Sequence, residues 1–212
     1  MSKFHKETLK CPTCQEAIEA VFWDSITIDE NAEMQFKEDV KTGKLFKAVC
    51  PHCKMMYHLN YPLLYTDKTN HFMIYYIPNE SKNAQLTFPD TSDTAYTYRI
   101  AGTYFEFIEK ILIFENHLND IVIELIKAVM LQKEKNLQKS QGVYFAALSD
   151  KKLSFQILGH EHAFISYPRD AYEELAKGLK FKAVDDFQLI NLKTFNNFLI
   201  SNKIQFTRDY TG

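Results

Sequence analysis

The sequence predicts an α+β fold in two parts. Three observations carry that expectation. All four cysteines fall in two copies of one tetrapeptide, "CPTC" (11–14) and "CPHC" (50–53), within an N-terminal third rich in aromatic and β-branched runs. The middle of the chain switches to apolar residues at helical spacing. The last third opens with short alternating runs and then returns to helical text.

Taken in order, the cysteines come first. Two residues between cysteines let both sulfurs of a knuckle turn toward one metal, and the intervening proline helps fix the turn. Two knuckles supply the four thiolates of a closed tetrahedral site, which predicts metal ligands at Cys11, Cys14, Cys50 and Cys53. Closed all-cysteine sites are typically structural zinc, so one structural Zn2+ is the expected cofactor. The alternatives are iron in a rubredoxin-like electron carrier and a redox dithiol. A redox dithiol needs one CxxC opening a helix, not two matched pairs. His52 lies inside the second knuckle and His58 beyond it. Four thiolates already close the shell, so neither is expected as a ligand, and His52 is read as a solvent-facing loop residue.

Thirty-five residues separate the knuckles, more than the roughly 15–20 of common zinc ribbons. An insert must fold between them. "EAVFWDSITID" (19–29) reads as a strand, "ENAEMQFKEDVKTGKLF" (30–46) as a short helix carrying Met34, Phe36 and Val40, with Gly43 placed to stop it. "KLFKAV" returns as a strand into Cys50. "HLNYPLLYTD" and "HFMIYYIP" read as a hairpin turning at "TDKTN" (66–70).

These knuckles, followed by "YPLLYTDKTNHFMIYYIP" and the helical text "FEFIEKILIFENHLNDIVIELIK", resemble the bacterial CpXC-domain family over about residues 9–130. The resemblance implies zinc held by the same four cysteines and a function not yet characterised. One departure is visible. Knuckles of this sort often place glycine after the second cysteine, where this chain has Gln15 and Lys54.

After a polar loop (79–94), "AYTYRI" reads as a strand and "TYFE" (103–106) as a capping box, Thr103 accepting from the Glu106 amide and Glu106 reaching back. A helix follows with Tyr104, Phe107, Ile108, Ile111 and Leu112 at helical spacing, and a second begins near Asn119. Its stripe of Ile121, Val122, Leu125, Ile126, Val129 and Met130 is expected to pack within the protein rather than against a partner. Glu106, Glu109, Asp120 and Glu124 are expected on solvated helix faces.

The Lys-rich "LQKEKNLQKSQG" (131–142) is the expected boundary, giving a zinc-ribbon-like β lobe with a helical pair over 1–135 and a small α+β C-terminal unit over 143–212. In the latter, "VYFAALSDKKLSFQILGHEHAFISY" reads as three strands. "PRDAYEELAKG" reads as a helix with Pro168 near its first turn, "FQLINL" as a fourth strand, and "KTFNNFLISNK" as a last helix with Phe195, Phe198 and Leu199 inward. His160 and His162 could share one side of a strand and hold a metal, but an ordinary hairpin turn explains them better, and Asp185-Asp186 reads as a loop pair.

Composition narrows the function. Residues 1–66, 67–142 and 143–212 carry net charges of −1, −2 and +1, so no third offers the basic footprint of nucleic-acid binding. No stretch approaches the roughly 18 apolar residues of a membrane span, and the N-terminus lacks a secretory apolar run, so a cytoplasmic protein is expected. Phosphate-cradle and nucleophile-elbow motifs are absent. The expectation is a protein-binding adaptor rather than an enzyme. The alternatives are a nucleic-acid-binding ribbon, stacking bases on Tyr57, Tyr61, Tyr65, Tyr75 and Tyr76, and an enzyme whose site gathers Arg99, the "HEH" turn and the helix acids.

Overall fold

The computed structural model describes residues 2–29, 34–78, 87–134, 137–159, 163–179 and 186–195. The fold is mixed α+β and divides into two compact units, Met1–Ile108 and Glu109–Gly212.

The first unit is built on one mixed sheet in which β1 (Lys3–Lys10), β2 (Ala17–Ile28), β5 (Leu63–Asp67), β6 (Phe72–Tyr76) and β7 (Thr97–Ala101) are successive neighbours. β1 and β2 pair antiparallel, and so do β5 and β6, as the hairpin at 66–70 predicted. Its turn is fixed by Asp67, whose buried carboxylate accepts from the Asn70 amide at 2.9 Å and from Lys37 Nζ at 3.0 Å. β2 and β5 pair in parallel, from Ser25↔Leu64 to Ile28↔Asp67. Parallel neighbours need a long crossover. Here it contains α1 (Met34–Lys41), a 3-10 turn (Lys44–Phe46), and β3 (Lys47–Val49) paired antiparallel with β4 (Met56–His58). Its first part, through β3, forms with β2 the insert which the knuckle separation demanded.

Gly43 ends α1 at φ 69°, and a Cβ there would sit 3.0 Å from the Tyr104 hydroxyl, so both backbone and space favour glycine. Residues 44–46 form a 3-10 turn rather than the start of a strand, which drives Phe46 into the core against Tyr61, Tyr76, Tyr104 and Phe107, with ring centroids 5.1–6.3 Å apart. β1 was not anticipated. It alternates no apolar face and is exposed along nearly its whole length, held by its ladder to β2. The stacking surface proposed for nucleic acid is corrected: Tyr61, Tyr65, Tyr75 and Tyr76 are all buried, because they line the inner faces of strands and of the loop entering β5.

The capping box forms as read. The Glu106 amide donates to Thr103 Oγ1 at 3.2 Å, and Glu106 Oε2 accepts from the Gly102 amide at 2.9 Å, opening α2 (Tyr104–Glu115). The division between units falls inside this helix.

The second unit contains the rest of α2, then α3 (Asp120–Lys133), capped by Asn119 Oδ1 accepting from Ile121 N at 2.9 Å. The predicted strands follow as β8 (Gly142–Leu148), β9 (Lys152–Leu158) and β10 (Phe164–Pro168), an antiparallel sheet in the order β10-β9-β8. α4 (Arg169–Gly178) starts at Pro168 as expected, and the fourth strand shrinks to Gln188–Leu189. Ile113, Val122, Ile126 and Met130 share a core with Val143, Phe145, Leu153 and Phe155. The helical stripe therefore packs internally, and it packs with the C-terminal strands. The break in packing lies at 108/109, whereas the sequence placed it at 131–142, where the 3-10 turn Leu137–Lys139 buries Leu137 in that same core. His160, His162, Asp185, Phe198 and Leu199 lie outside the described residues.

Three of the four helix acids are not solvated. Glu109, Asp120 and Glu124 are at most 2% exposed, together with Lys110 and Lys127. Lys110 Nζ bonds Asp120 at 2.9 Å and Glu124 at 3.3 Å, while Lys127 Nζ bonds Glu109 at 2.8 Å and Glu124 at 3.1 Å. Helical spacing puts these groups on the facing sides of α2 and α3, and each charge is kept in the interior by opposite ones. Glu106 alone stays partly exposed, as the cap.

Candidate metal centre

Both knuckles are hairpin tips. Cys11–Glu16 turns β1 into β2, and Cys50–Met55 turns β3 into β4. Their backbones repeat one pattern: Cys11 N donates to Glu16 O and Gln15 N to Cys11 O, and Cys50 N donates to Met55 O and Lys54 N to Cys50 O, at 2.9–3.0 Å. The residue after each second cysteine adopts the left-handed conformation that glycine favours, Gln15 at φ 62° and Lys54 at φ 63°. Each side chain returns to the proline of its own knuckle. Gln15 Nε2 donates to Pro12 O at 3.2 Å and Lys54 Nζ to Pro51 O at 2.7 Å. The missing glycines leave the turn geometry intact.

The four Sγ atoms lie within 4.8 Å of one another. Cys11 and Cys53 are 3.6 Å apart, as are Cys14 and Cys50, so each close pair bridges the two knuckles. Metal–sulfur bonds of 2.3 Å in a tetrahedron require sulfurs about 3.8 Å apart, so the set is of the size that holds a four-coordinate ion. Ile18, Ala20 and Ala48 pack against Cys11 and Cys50 and close the inner side.

Tyr57, on β4, reaches across to the first knuckle. Its hydroxyl lies 2.7 Å from Cys11 Sγ and 3.2 Å from Thr13 Oγ1. Burial pushes the Cys11 thiol up, but hydrogen bonds from the Cys14 amide and the Tyr57 hydroxyl outweigh it and bring the pKa down to about 6. For Cys14 the Glu16 amide acts downward, yet burial and the three neighbouring sulfurs push it up to about 12. The hydrogen bond to Cys11 holds Tyr57 up at about 12. The centre is thus asymmetric: Cys11 is a thiolate near neutral pH, while the charge on Cys14 needs a cation to balance it.

All four ligands read from the sequence are brought together. His52 and His58 stay outside the cluster, both exposed, with His58 stacked on Phe46 at 6.0 Å. Tyr57 was seen in the sequence only as an aromatic. Its place opposite Ala48, in phase with the inward side of a strand, is the signal that could have assigned it. Arg99 is buried on β7 and donates to the Tyr98 carbonyl at 2.8 Å.

A four-thiol centre of two matched knuckles, the second carried on a β crossover, defines the class of this protein. The family model described as "CpXC protein" matches residues 9–127, and the chain belongs to that family. No curated protein and no solved structure matches it.

Proposed function

We propose that this chain is a zinc-stapled protein-binding module whose four cysteines hold one structural Zn2+ ion. The observation that carries the reading is the set of four sulfurs within 4.8 Å of one another, donated by two matched hairpin tips. Four thiolates fill a tetrahedral shell and leave no position for a substrate, so the metal's work is to hold β1–β2 and β3–β4 together. The binding role draws support from the nearly balanced charge and from the absence of any motif for phosphate or acyl chemistry. Nucleic-acid binding is disfavoured, since four of its five candidate stacking rings are buried and no third of the chain is basic. A helix long and apolar enough to cross a membrane is not found among the described residues, and we assign the module to the cytoplasm on its reduced thiols.

Plasma mass spectrometry of the purified protein, with its visible spectrum, tests the reading. One zinc per chain and no colour is the expected result. Iron with a red, redox-active spectrum would make the knuckles an electron-transfer site instead.

A further inference from the structure

We infer that the outer face of the β3–β4 hairpin is the docking surface of this module, and that its occupant is an acidic segment of another protein carrying an apolar side chain. The inference rests on the protein-binding reading and names the partner's chemistry.

Strand register separates the hairpin's two faces. Ala48 lies opposite Tyr57, and both pack into the cysteine cluster. One residue on, Val49 lies opposite Met56 and Lys47 opposite His58, so these four belong to the other face. Val49 and Met56 are 58% and 59% exposed, and the neighbouring Met55 is 49% exposed. Three large apolar side chains thus stand together at the tip of a hairpin whose other side is clamped by the cysteine centre. Such a platform is ordered before a partner arrives, and methionine adapts to varied apolar shapes.

Charge selects the partner. Residues 40–66 contain Lys41, Lys44, Lys47 and Lys54 and not one acid, in a chain with 27 acids and a net charge of −2. Lys47 shares the exposed face with Val49, and Lys54 stands at the knuckle tip, its ammonium held on the Pro51 carbonyl. The Cys11 sulfur lies behind the hairpin, on the Tyr57 side. A basic segment would meet like charges, and a second copy of this chain would bring the same lysines to a two-fold contact. A nucleic acid would find thioether and aliphatic groups and one imidazole, His58, already stacked on Phe46, since Tyr57 turns its hydroxyl inward to Cys11. An acidic segment with an apolar anchor satisfies both halves of the surface.

The test uses the full-length protein with its methionine methyls labelled for NMR, after its metal content has been measured. The probes are a short Asp/Glu-rich peptide with Leu and Phe anchors, its Lys-rich counterpart, and a short oligothymidylate. The acidic peptide is expected to move the Met55 and Met56 methyl resonances saturably, and Lys47→Glu to weaken it at least about threefold while metal content stays unchanged. The inference is overturned if neither methyl moves, if the Lys-rich peptide moves them equally, or if the oligonucleotide binds there more tightly. Unmoved methyls in a protein holding its full zinc sink this surface and leave the clasp standing. A protein without zinc sinks the clasp itself.

Discussion

Lys127 Nζ lies 2.9 Å from Oε1 and 2.8 Å from Oε2 of Glu109, and neither residue is more than 2% exposed. Glu109 Oε1 also accepts from the Phe145 amide at 2.6 Å, so a single carboxylate joins α2, α3 and β8. Lys127→Met strands that carboxylate in the core. Removing one partner of a buried pair costs about 3–5 kcal/mol, and urea unfolding of the variant should show a loss of that size. A loss under about 1 kcal/mol, as at exposed pairs, would mean the network is hydrated.

The same network sets a pH dependence. Burial raises the Glu109 carboxyl above its ordinary value of 4.5, the attraction of Lys127 opposes this, and the nearby Glu124 adds to the rise. The folded state therefore holds this proton more tightly than the unfolded chain does. The stabilisation is full below pH 4.5 and fades as pH climbs through the raised value. Wild-type stability should carry this downward component on leaving the acid range, and Glu109→Gln, which cannot ionise, should remove it. Urea midpoints measured across pH for both proteins check the sign. Parallel curves would refute it.

Tyr57→Phe removes the hydroxyl that holds Cys11 and leaves the ring. Outer hydrogen bonds to metal ligands are commonly worth about 10–100-fold in metal affinity, and competition with a chromogenic chelator should show a loss in that range. Affinity within twofold of wild type would show that the contact is idle.

Where the chain can be cut follows from the shared core. A fragment beginning at residue 143 discards Ile113, Val122, Ile126 and Met130 from beneath β8 and β9. It should remain unfolded by circular dichroism, whereas a fragment beginning at Thr103, with its cap, should fold. Cys11→Ser in the full chain should then release the metal and unfold the first unit while the second keeps its structure.

Gln15→Gly and Lys54→Gly relieve left-handed backbone at φ 62° and 63°. The relief of about 1–2 kcal/mol exceeds the roughly 0.4–1 kcal/mol that glycine adds to unfolded-chain entropy. Each variant should be as stable as wild type or slightly more so in thermal melts. A marked loss would show that the side-chain bonds to Pro12 and Pro51 matter more than the strain.

Local signals carried most of the fold. The capping box at Thr103, the Asn119 cap, the Pro168 start and the Gly43 stop all act over a single turn, and each is found where the sequence placed it. The two cysteine turns were legible for the same reason, since a knuckle is a local structure, and the structure brings all four sulfurs together. What escaped was set at long range. β1 has no pattern of its own and exists because β2 offers a ladder. Glu109, Asp120 and Glu124 read as surface acids because nothing local reveals that Lys110 and Lys127 are buried beside them. Tyr61, Tyr65, Tyr75 and Tyr76 offered rings, and only tertiary packing shows that the interior takes them.

The parallel pairing of β2 with β5 has a consequence in time. The two strands can meet only after the whole crossover has formed; the second knuckle lies within it, and the first immediately precedes β2. Closing a loop of that length costs about 3–4 kcal/mol of chain entropy. A cation that gathers the four sulfurs early meets this cost before the sheet assembles, so β5 finds its neighbour from close range. Metal supply would then govern how fast the first unit folds as well as how firmly it holds, and a chain made in its absence would linger with Ile26, Ile28 and Leu63 still in water.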